Sequence, residues 1–420
     1  MINMKQEHAK ITGRSEAQGR PFATTFSRSF WRLDGQKLCA RARAKTGLYD
    51  FGSPSLEPAL TTLVKSLESE ANLHALGRLL MKIHLQGILC TRLKLARQLT
   101  ANEVNPSTSP KMPPVFITGM PRSGSTFLHE LLIQDRALRA PRVWEVISPA
   151  TAAEPDRGWR DARVWRAAFC LWWFRRLAPR ADAVYPMRAR TPHECVAIQS
   201  YTLLSEEFIS TCHVPTYEAF LRCADLSPAY LWEKRFLRLL QSSQPNARWV
   251  LKSPDHVRGL DALFSVFPDA LIVQTHRNPL DSLRSSIHLT EVLQGLYGRP
   301  QSREQLADRE AKNLSWNMQR LIRFRDEHPE LANRFIDVNY SELSSDPLSV
   351  VRRIFGQFEM SLSNETLARM QQLARSRSAY KGRRTAPTLA EVKLNPRAQL
   401  ILFGEYCRRF GIPGGPAGVN

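Results

Sequence analysis

The sequence has no long apolar run and few cysteines, and both shortages limit what this chain can be. No segment reaches the ~18 consecutive apolar residues of a membrane-spanning helix. The seven cysteines are odd in number, scattered and without a C-x-x-C pair, which argues against a disulfide framework and a zinc site. The polar N-terminal residues lack the apolar core of a secretory signal. We therefore expect a cytoplasmic protein.

Acidic residues are also scarce, since 39 Asp and Glu face 59 Lys and Arg and leave a formal net charge of +20. Such a chain attracts nucleic acid, anionic membranes or small multiply charged anions, and composition does not separate the three. The sequence has no helix-turn-helix, zinc-finger or RNP pattern. A basic nucleic-acid-binding protein nevertheless stays an alternative at this point.

Apolar spacing divides the chain into a helical part and an α/β part. The first residues are basic and weakly patterned, and from Leu56 to Leu99 the apolar residues recur at helical spacing. The Pro/Ser-rich stretch from Asn102 to Pro114 is typical of a linker. We therefore predict an N-terminal arm and helical extension over residues 1–110, and a second domain over residues 111–420.

Beyond the linker, short buried strands alternate with helices. The strand candidates are the apolar runs Val115–Thr118, Trp249–Leu251, Leu271–Thr275 and Phe335–Val338. Strands that alternate with helices predict a parallel sheet with helices on both faces. The predicted fold class is α/β: a three-layer parallel sheet with a P-loop-like phosphate site, plus the N-terminal helical extension.

The segment PVFITGMPRSGSTFLH, which ends at His129, carries the most chemical information. A strand ends at Gly119 and a helix begins at Ser125, so the N–H groups of the helix start form an anion cradle. The nucleotide-triphosphatase loop G-x-x-x-x-G-K-[ST] has lysine where this chain has Ser125, and the cation here is Arg122. No predicted strand ends in an acid suited to magnesium. The pattern therefore predicts a phosphate cradle without a metal ion and disfavours a P-loop kinase, with a simple Gly/Ser turn as the other alternative.

A second basic position follows another strand, in LIVQTHRNPLDSLRSSI. Asn278 and Pro279 are typical of a helix start, so Arg277 stands at the carboxyl end of the strand, where open α/β sheets bind ligands. Ser285 lies about two turns into the helix. The pair suits a second phosphate, although an arginine before a capped helix is commonly part of a surface ion pair.

Three segments in this order, PRSGSTFLH, WVLKSPDHVRGLDALFSVFPDA and LIVQTHRNPLDSLRSS, together resemble the sulfotransferases that use 3′-phosphoadenosine 5′-phosphosulfate (PAPS). The resemblance runs from Pro114 to about Gly411. The resemblance is strongest to bacterial members with Arg in the loop. A weaker similarity connects the chain to bacterial enzymes that act on lipidic alcohols. The family resemblance implies transfer of a sulfuryl group from PAPS to an acceptor hydroxyl, with adenosine 3′,5′-bisphosphate as the other product.

The resemblance also implies which residues bind the donor. In the family the first loop binds the 5′-phosphosulfate, which gives this role to Arg122, Ser123, Gly124, Ser125 and Thr126. A strand-end Arg and a Ser eight residues later bind the 3′-phosphate, which matches Arg277 and Ser285. A basic segment near the C-terminus closes over that phosphate and matches Lys381, Gly382 and Arg383, with a solvated basic loop as the alternative.

Sulfuryl transfer needs cations against the developing charge and a base for the acceptor proton. The resemblance implies Arg122 and Lys252 as the cationic stabilisers. Two residues compete for the base. Glu145 is similar to the glutamate base of the Arg-loop members, with two extra residues intervening, whereas His256 stands in Lys-x-x-x-His where vertebrate cytosolic members have Lys-x-His. We favour Glu145.

The acceptor side is rich in arginine and tryptophan. From Arg136 to Arg190 there are twelve Arg, no Lys and five acids, around the segment VWRAAFCLWWFRRLAP. Such a helix suits a membrane interface or an apolar substrate entrance, and an amphipathic helix packed on the core is an equal alternative. The pair His193-Glu194 either lines the acceptor pocket or caps a helix. The predicted partners are a small-molecule or lipid-like hydroxyl acceptor and, through residues 163–180, a membrane surface, with no metal ion and no nucleic acid.

Overall fold

A parallel sheet of five strands holds the centre of the structure, in the order β2-β3-β1-β4-β5. Numbered along the chain, the strands are β1 (Val115–Gly119), β2 (Leu138–Arg139), β3 (Arg248–Lys252), β4 (Leu271–His276) and β5 (Phe335–Asn339). All neighbouring strands are parallel. The computed structural model describes residues 32–102, 112–149, 161–241, 244–378, 388–392 and 394–413. The predicted donor residues Lys381, Gly382 and Arg383 lie outside the described residues.

The helices cover the sheet and form the N-terminal region, as predicted for the α/β fold with a helical extension. They are α1 (Gly35–Thr46), α2 (Glu57–Ser69), α3 (Ala75–Asn102), α4 (Ser125–Leu132), α5 (Val143–Ile147), α6 (Ala162–Leu177), α7 (Pro179–Val184), α8 (Cys195–Gln199), α9 (Glu207–Thr211), α10 (Pro215–Cys223), α11 (Ser227–Gln241), α12 (Leu260–Val266), α13 (Pro279–Tyr297), α14 (Arg303–Glu327), α15 (Tyr340–Ser345), α16 (Pro347–Gln357), α17 (Asn364–Ser378), α18 (Pro396–Leu402) and α19 (Gly404–Arg409). Within the described residues, three short 3₁₀ helices span Ser200–Thr202, Pro254–Arg258 and Pro329–Arg334.

The central strands read as continuous apolar runs because both of their faces are covered. Every residue of β1 and β4 is buried. Successive side chains of a strand point to opposite faces, and accordingly Val115 and Ile117 join one core cluster with Leu128 of α4, whereas Phe116 belongs to the other cluster. Among the described residues, four of the five strands were predicted, with ends that differ by at most one residue. The two-residue β2 was not predicted.

The N-terminal helices are joined to the rest of the molecule by a buried arginine. Arg92 of α3 donates from Nε to the carbonyl oxygen of Phe51 at 2.7 Å and from Nη1 to that of Tyr201 at 3.2 Å. Its guanidinium carbon lies 3.4 Å from the centroid of the Trp232 ring. Described residues from Leu33 onward belong to one compact unit, and the boundary predicted near residue 110 stays a prediction. In the described part of the chain, no helix has the length and apolarity to span a membrane.

Candidate active site

The loop between β1 and α4 is built for a close approach of backbone to ligand. Gly119 has φ of 117°, and a Cβ there would lie 2.3 Å from the carbonyl oxygen of Thr275 on β4, so glycine is required. Gly124 has φ of 86° and is the N-cap of α4, where no side chain accepts a bond from the first turn. The N–H groups at this helix start therefore keep their capacity to bind an anion.

Arg122 occupies a strained position that the surrounding structure holds in place. Its φ of 62° lies in the left-handed region, which is unfavourable for a residue with a Cβ. Arg277 Nη1 donates to the carbonyl oxygen of Arg122 at 2.6 Å, and Ser282 donates to the neighbouring Pro121 carbonyl. Arg122 Nε in turn donates to Ser285 Oγ at 3.0 Å. The residues predicted for the two phosphates thus form one continuous site.

Arg277 combines this positioning with a capacity to bind an anion. Its guanidinium carbon lies 4.3 Å from the centroid of the Tyr340 ring, and its Nη2 lies 4.0 Å from Asp281 Oδ2. Its Nε is buried and has no hydrogen-bond partner among the described residues. Asn278 caps α13 as predicted, by accepting from the Leu280 N–H at 2.9 Å. An unsatisfied donor beside a phosphate loop fits a multiply charged nucleotide.

Lys252, at the end of β3, is buried rather than solvated: its side chain is 3% exposed. Its Nζ donates to Thr126 Oγ1 at 3.1 Å, which links it to the loop, and it forms an ion pair with Glu194 Oε1. The exposed Thr126 opens α4. A buried charge needs such partners, so Lys252 is held where β3 and the loop meet.

Glu194 is the carboxylate that the structure brings to this lysine. Tyr185 OH also donates to its Oε1, at 2.8 Å. Burial would raise the pKa of Glu194, but Lys252 and the Tyr185 hydroxyl hold that pKa below its ordinary value. Glu194 occupies the N-cap position of α8, yet its side chain makes no capping bond. The structure therefore does not support the helix-cap interpretation of Glu194, and its place in an acceptor pocket stays a prediction.

Glu145, the favoured base, has contacts of another kind. Its Oε1 accepts from Arg139 Nη2 at 2.7 Å and its Oε2 from the Arg142 N–H at 2.8 Å. The carboxylate is 6% exposed and completes a capping box at the start of α5. Arg139 also packs over the Trp249 ring, 4.7 Å from its centroid. These contacts serve the stability of the sheet edge, and the role of Glu145 as base stays a prediction.

His256, the other predicted base, is enclosed in the core. Its Nδ1 lies 2.9 Å from Tyr230 OH, and its ring packs edge-on against Phe116 at 5.1 Å. Burial lowers the pKa of His256 to about 3, so the imidazole is neutral. His256 is only 1% exposed, and its role as base stays a prediction.

Three groups that are distant in sequence form a buried cluster with this histidine. The ligand-type atoms of Cys195, Glu233 and His256 lie within 4.8 Å of one another. The sequence pattern does not indicate this cluster, because α8, α11 and the 3₁₀ turn meet only in the fold. Burial raises the pKa of Glu233 to about 7, and the Cys195 thiol and Gln199 amide bond to its carboxyl group. Glu233 Oε1 and His256 Nε2 are buried without a hydrogen-bond partner among the described residues, and the expected absence of a metal ion stays a prediction.

Comparison with known proteins agrees with this strand–loop–helix site. Residues 113–364 match the model of the sulfotransferase family. The chain belongs to the sulfotransferase family. It is 26% identical over 278 residues, 64% of this chain and 68% of the relative, to the omega-hydroxy-beta-dihydromenaquinone-9 sulfotransferase Stf3 of Mycobacterium bovis and to that of Mycobacterium tuberculosis.

Solved sulfotransferases share the fold over most of their length. STF1 of Mycobacterium tuberculosis H37Rv superposes with a TM-score of 0.72 at 27% identity, covering 89% of this chain and 99% of that one. STF9 of Mycobacterium avium gives 0.77 at 27% identity, with 90% and 97% covered. The chain is therefore an enzyme that transfers a sulfuryl group to an acceptor hydroxyl, and its family implies PAPS as the co-substrate. Membership of this family confirms the predicted sulfuryl transfer. It also excludes the alternative that the protein is a P-loop kinase.

Sequence analysis of this sulfotransferase missed the contacts that join Lys252 to Glu194 and Glu194 to Tyr185. Tyr185 was not predicted as a site residue. Glu194 was considered, but its contact with Lys252 was not predicted. Asp255 was also missed: burial, with the nearby charge of Glu194, raises its pKa to about 6. No fixed spacing connects these residues in the sequence, although clustered ionisable groups with shifted pKa values are typical of functional sites.

Replacement of either predicted 3′-phosphate residue should weaken donor binding. We expect Arg277→Ala to lower the affinity for adenosine 3′,5′-bisphosphate by about one to two powers of ten, since a charge-assisted contact is lost. Ser285→Ala should act in the same direction. Isothermal titration calorimetry measures both, and Arg284→Ala on the same helix is the matched control. Unchanged affinity in both variants would place the 3′-phosphate elsewhere.

The raised pKa of Glu233 predicts how the stability of this sulfotransferase depends on pH. Folded Glu233 keeps its proton up to about pH 7, whereas the unfolded chain releases it near 4.5, so the free energy of unfolding falls as pH rises between these values. The loss amounts to ~3 kcal/mol. Glu233→Gln, a neutral isostere, should remove it. Urea unfolding of both proteins at about pH 5 and about pH 8 tests this, and an identical pH dependence of the two would refute it.

Proposed function

We propose that this sulfotransferase moves the sulfuryl group of PAPS to the hydroxyl of a lipophilic acceptor, with Glu194 as the base. The observation that carries the proposal is the ion pair of Glu194 with Lys252, whose Nζ also contacts Thr126 of the phosphate loop. One cation thus joins the end of the loop to a carboxylate. Such an arrangement supports donor binding on one side of Lys252 and acceptor activation on the other.

The donor side is assigned to the loop and to the start of α13. When bound, PAPS supplies the sulfuryl group and leaves as adenosine 3′,5′-bisphosphate. The N–H groups of Ser125 and Thr126 at the start of α4 suit the 5′-side anion, with Arg122 and Lys252 as the cations that stabilise developing charge. Arg277 and Ser285 suit the 3′-phosphate, and the fixed Arg122 carbonyl ties the two subsites together.

The acceptor side is assigned to Glu194. Its lowered pKa keeps it a carboxylate at neutral pH, so it can accept the proton that the attacking hydroxyl loses. Tyr185 and Lys252 both bond to Oε1, which fixes the orientation of the group. We prefer Glu194 to Glu145 because both oxygens of Glu145 are engaged by Arg139 and the α5 backbone.

A lipophilic acceptor is supported by the relatives and by the aromatic helix α6. The Mycobacterium relatives are named for a hydroxylated dihydromenaquinone, an apolar molecule with a hydroxyl group. In this chain Tyr185, which bonds to Glu194, follows directly on the α6–α7 segment. We also propose that the enzyme is cytoplasmic, since all seven cysteines are free thiols.

Incubation of the enzyme with radiolabelled PAPS and a bacterial lipid extract tests this function. We expect label in the organic phase, with the product identified by mass spectrometry. Transfer should persist in EDTA, because Arg122 and Lys252 neutralise the charge for which a kinase uses magnesium. Stabilisation against heat by adenosine 3′,5′-bisphosphate and not by duplex DNA is the accompanying control. Label confined to water-soluble acceptors, or lost in EDTA, contradicts the proposal.

A further inference from the structure

Helix α6 exposes a strip of aromatic side chains to solvent. Trp165, Phe169, Trp172 and Trp173 are 62%, 61%, 43% and 48% exposed, and their spacing of three to four residues places them along one side of the helix. The rings contact one another, with centroids of Trp172 and Trp173 5.0 Å apart. In the described parts of the chain, every exposed Trp or Phe belongs to this strip.

The other side of α6 is already used for packing. Val164, Ala167 and Leu171 are buried, and the first two form a small cluster with Trp144 of α5. The helix is therefore anchored, and the exposed strip is a second apolar face that the described residues leave uncovered. A contiguous exposed apolar patch marks an interaction surface.

The charges of α6 have one sign, and on α7 the acidic Asp182 pairs with Arg188. Arg166, Arg175 and Arg176 lie on α6 and Arg180 on α7, whereas α6 has no acidic residue. Asp161, before the helix, is buried and pairs with Arg163. The guanidinium carbon of Arg176 lies 5.7 Å from the centroid of the Trp172 ring. Aromatic rings flanked by arginines suit the boundary between lipid headgroups and acyl chains.

The position of the strip in the fold connects it to the acceptor side. α6 packs on α5 and on α7, and α7 packs on α13, the helix of Ser285. Directly after α7 comes Tyr185, which donates to Glu194. The part of the enzyme that would bind a bilayer through α6 is therefore connected directly to the proposed base, Glu194.

We propose that the exposed face of α6 docks the enzyme on an anionic bilayer, with the four rings in the headgroup boundary and the arginines against lipid phosphates. A second copy of this chain is a poorer occupant, because a symmetric pairing would bring the arginines of both copies together. Docking itself is independent of the proposed function, although a lipophilic acceptor gives it a purpose.

Vesicle co-sedimentation without PAPS or acceptor tests the docking surface. The enzyme should bind phosphatidylcholine–phosphatidylglycerol vesicles more tightly than phosphatidylcholine vesicles. Trp165→Ser with Trp173→Ser should weaken this binding by about tenfold or more. The matched control replaces two exposed apolar residues elsewhere, Tyr49→Ser with Ile83→Ser, and should bind like the wild type. Retained binding of adenosine 3′,5′-bisphosphate shows that the variants fold.

The charge arm uses Arg166→Glu with Arg176→Glu, which should weaken binding to anionic vesicles by about tenfold or more. Arg238→Glu with Arg352→Glu has the same net charge and should lose much less. Equal losses in both pairs would attribute binding to overall charge and overturn the proposal. Absence of vesicle binding, or an aromatic pair that converts a dimer to a monomer without affecting vesicles, would overturn it as well. If the enzyme sulfates a lipid but binds no vesicle, the docking proposal is wrong, whereas the proposed function is not contradicted.

Discussion

Arg122→Ala should lower the turnover number of this sulfotransferase by at least ~10²-fold, the usual effect of removing one donor that stabilises transition-state charge. The residue projects from a loop fixed by Arg277 and by Ser282, and those contacts use backbone carbonyls that alanine retains. The fold should therefore persist, and the free energy of unfolding should change by no more than ~0.5 kcal/mol. Steady-state assays with labelled PAPS, combined with calorimetric unfolding, measure both quantities.

Arg122→Lys is the matched control for this experiment. Lysine keeps the charge but lacks the planar fork that donates to Ser285, so we expect partial recovery of turnover. Near-normal turnover in Arg122→Ala would remove the loop assignment altogether. A collapse of stability in Arg122→Ala would instead show that the side chain itself holds the loop.

Glu194→Gln should lower turnover by ~10²–10⁴-fold, because the amide keeps the shape of the group but cannot take the acceptor proton. Affinity for adenosine 3′,5′-bisphosphate should change little, since the phosphate contacts lie on the loop and on α13. The lowered pKa of Glu194 also predicts the pH profile. Turnover should stay constant through the pH range near 6.5 where a free imidazole titrates and fall only below the ordinary glutamate value of 4.5.

Glu145→Gln and His256→Ala are the competing variants. Glu145→Gln weakens a buried ion pair with Arg139, so we expect reduced stability with turnover largely retained. His256→Ala removes a neutral ring packed on Phe116, which also affects stability first. A loss of turnover confined to Glu145→Gln, with Glu194→Gln active, would return the base to Glu145.

The sheet and the phosphate loop could be predicted because their signals are local. Short apolar runs such as the LIV of residues 271–273 are typical of strands covered on both faces, and the change from strand to glycine turn to helix occurs within PVFITGMPRSGSTFLH. The two residues of β2 are too few to carry such a pattern. They join the sheet edge because Leu138 and Arg139 pair with Arg248 and Trp249, a contact between distant segments.

The ion pair of Lys252 with Glu194 and the contacts of Glu145 could not be predicted from the sequence, because they form only in the tertiary structure. The N-cap position before α5 holds Arg142 rather than Ser or Thr, so the usual capping-box signature that would indicate these contacts of Glu145 is missing.

The buried face of helix α6 could not be predicted from the sequence either. Both Val164 with Leu171 and Trp165 with Trp172 recur at helical spacing, and only the packing on Trp144 decides which face is buried.

The central claim is that one site, from the loop after β1 to the start of α13, binds the donor nucleotide beside Lys252 and Glu194. A crystal structure of the enzyme with adenosine 3′,5′-bisphosphate tests it most directly. We expect the 5′-phosphate against the N–H groups at Ser125 and Thr126, and the 3′-phosphate against Arg277 and Ser285. A nucleotide bound away from this loop, or a 3′-phosphate that contacts neither Arg277 nor Ser285, would contradict the account.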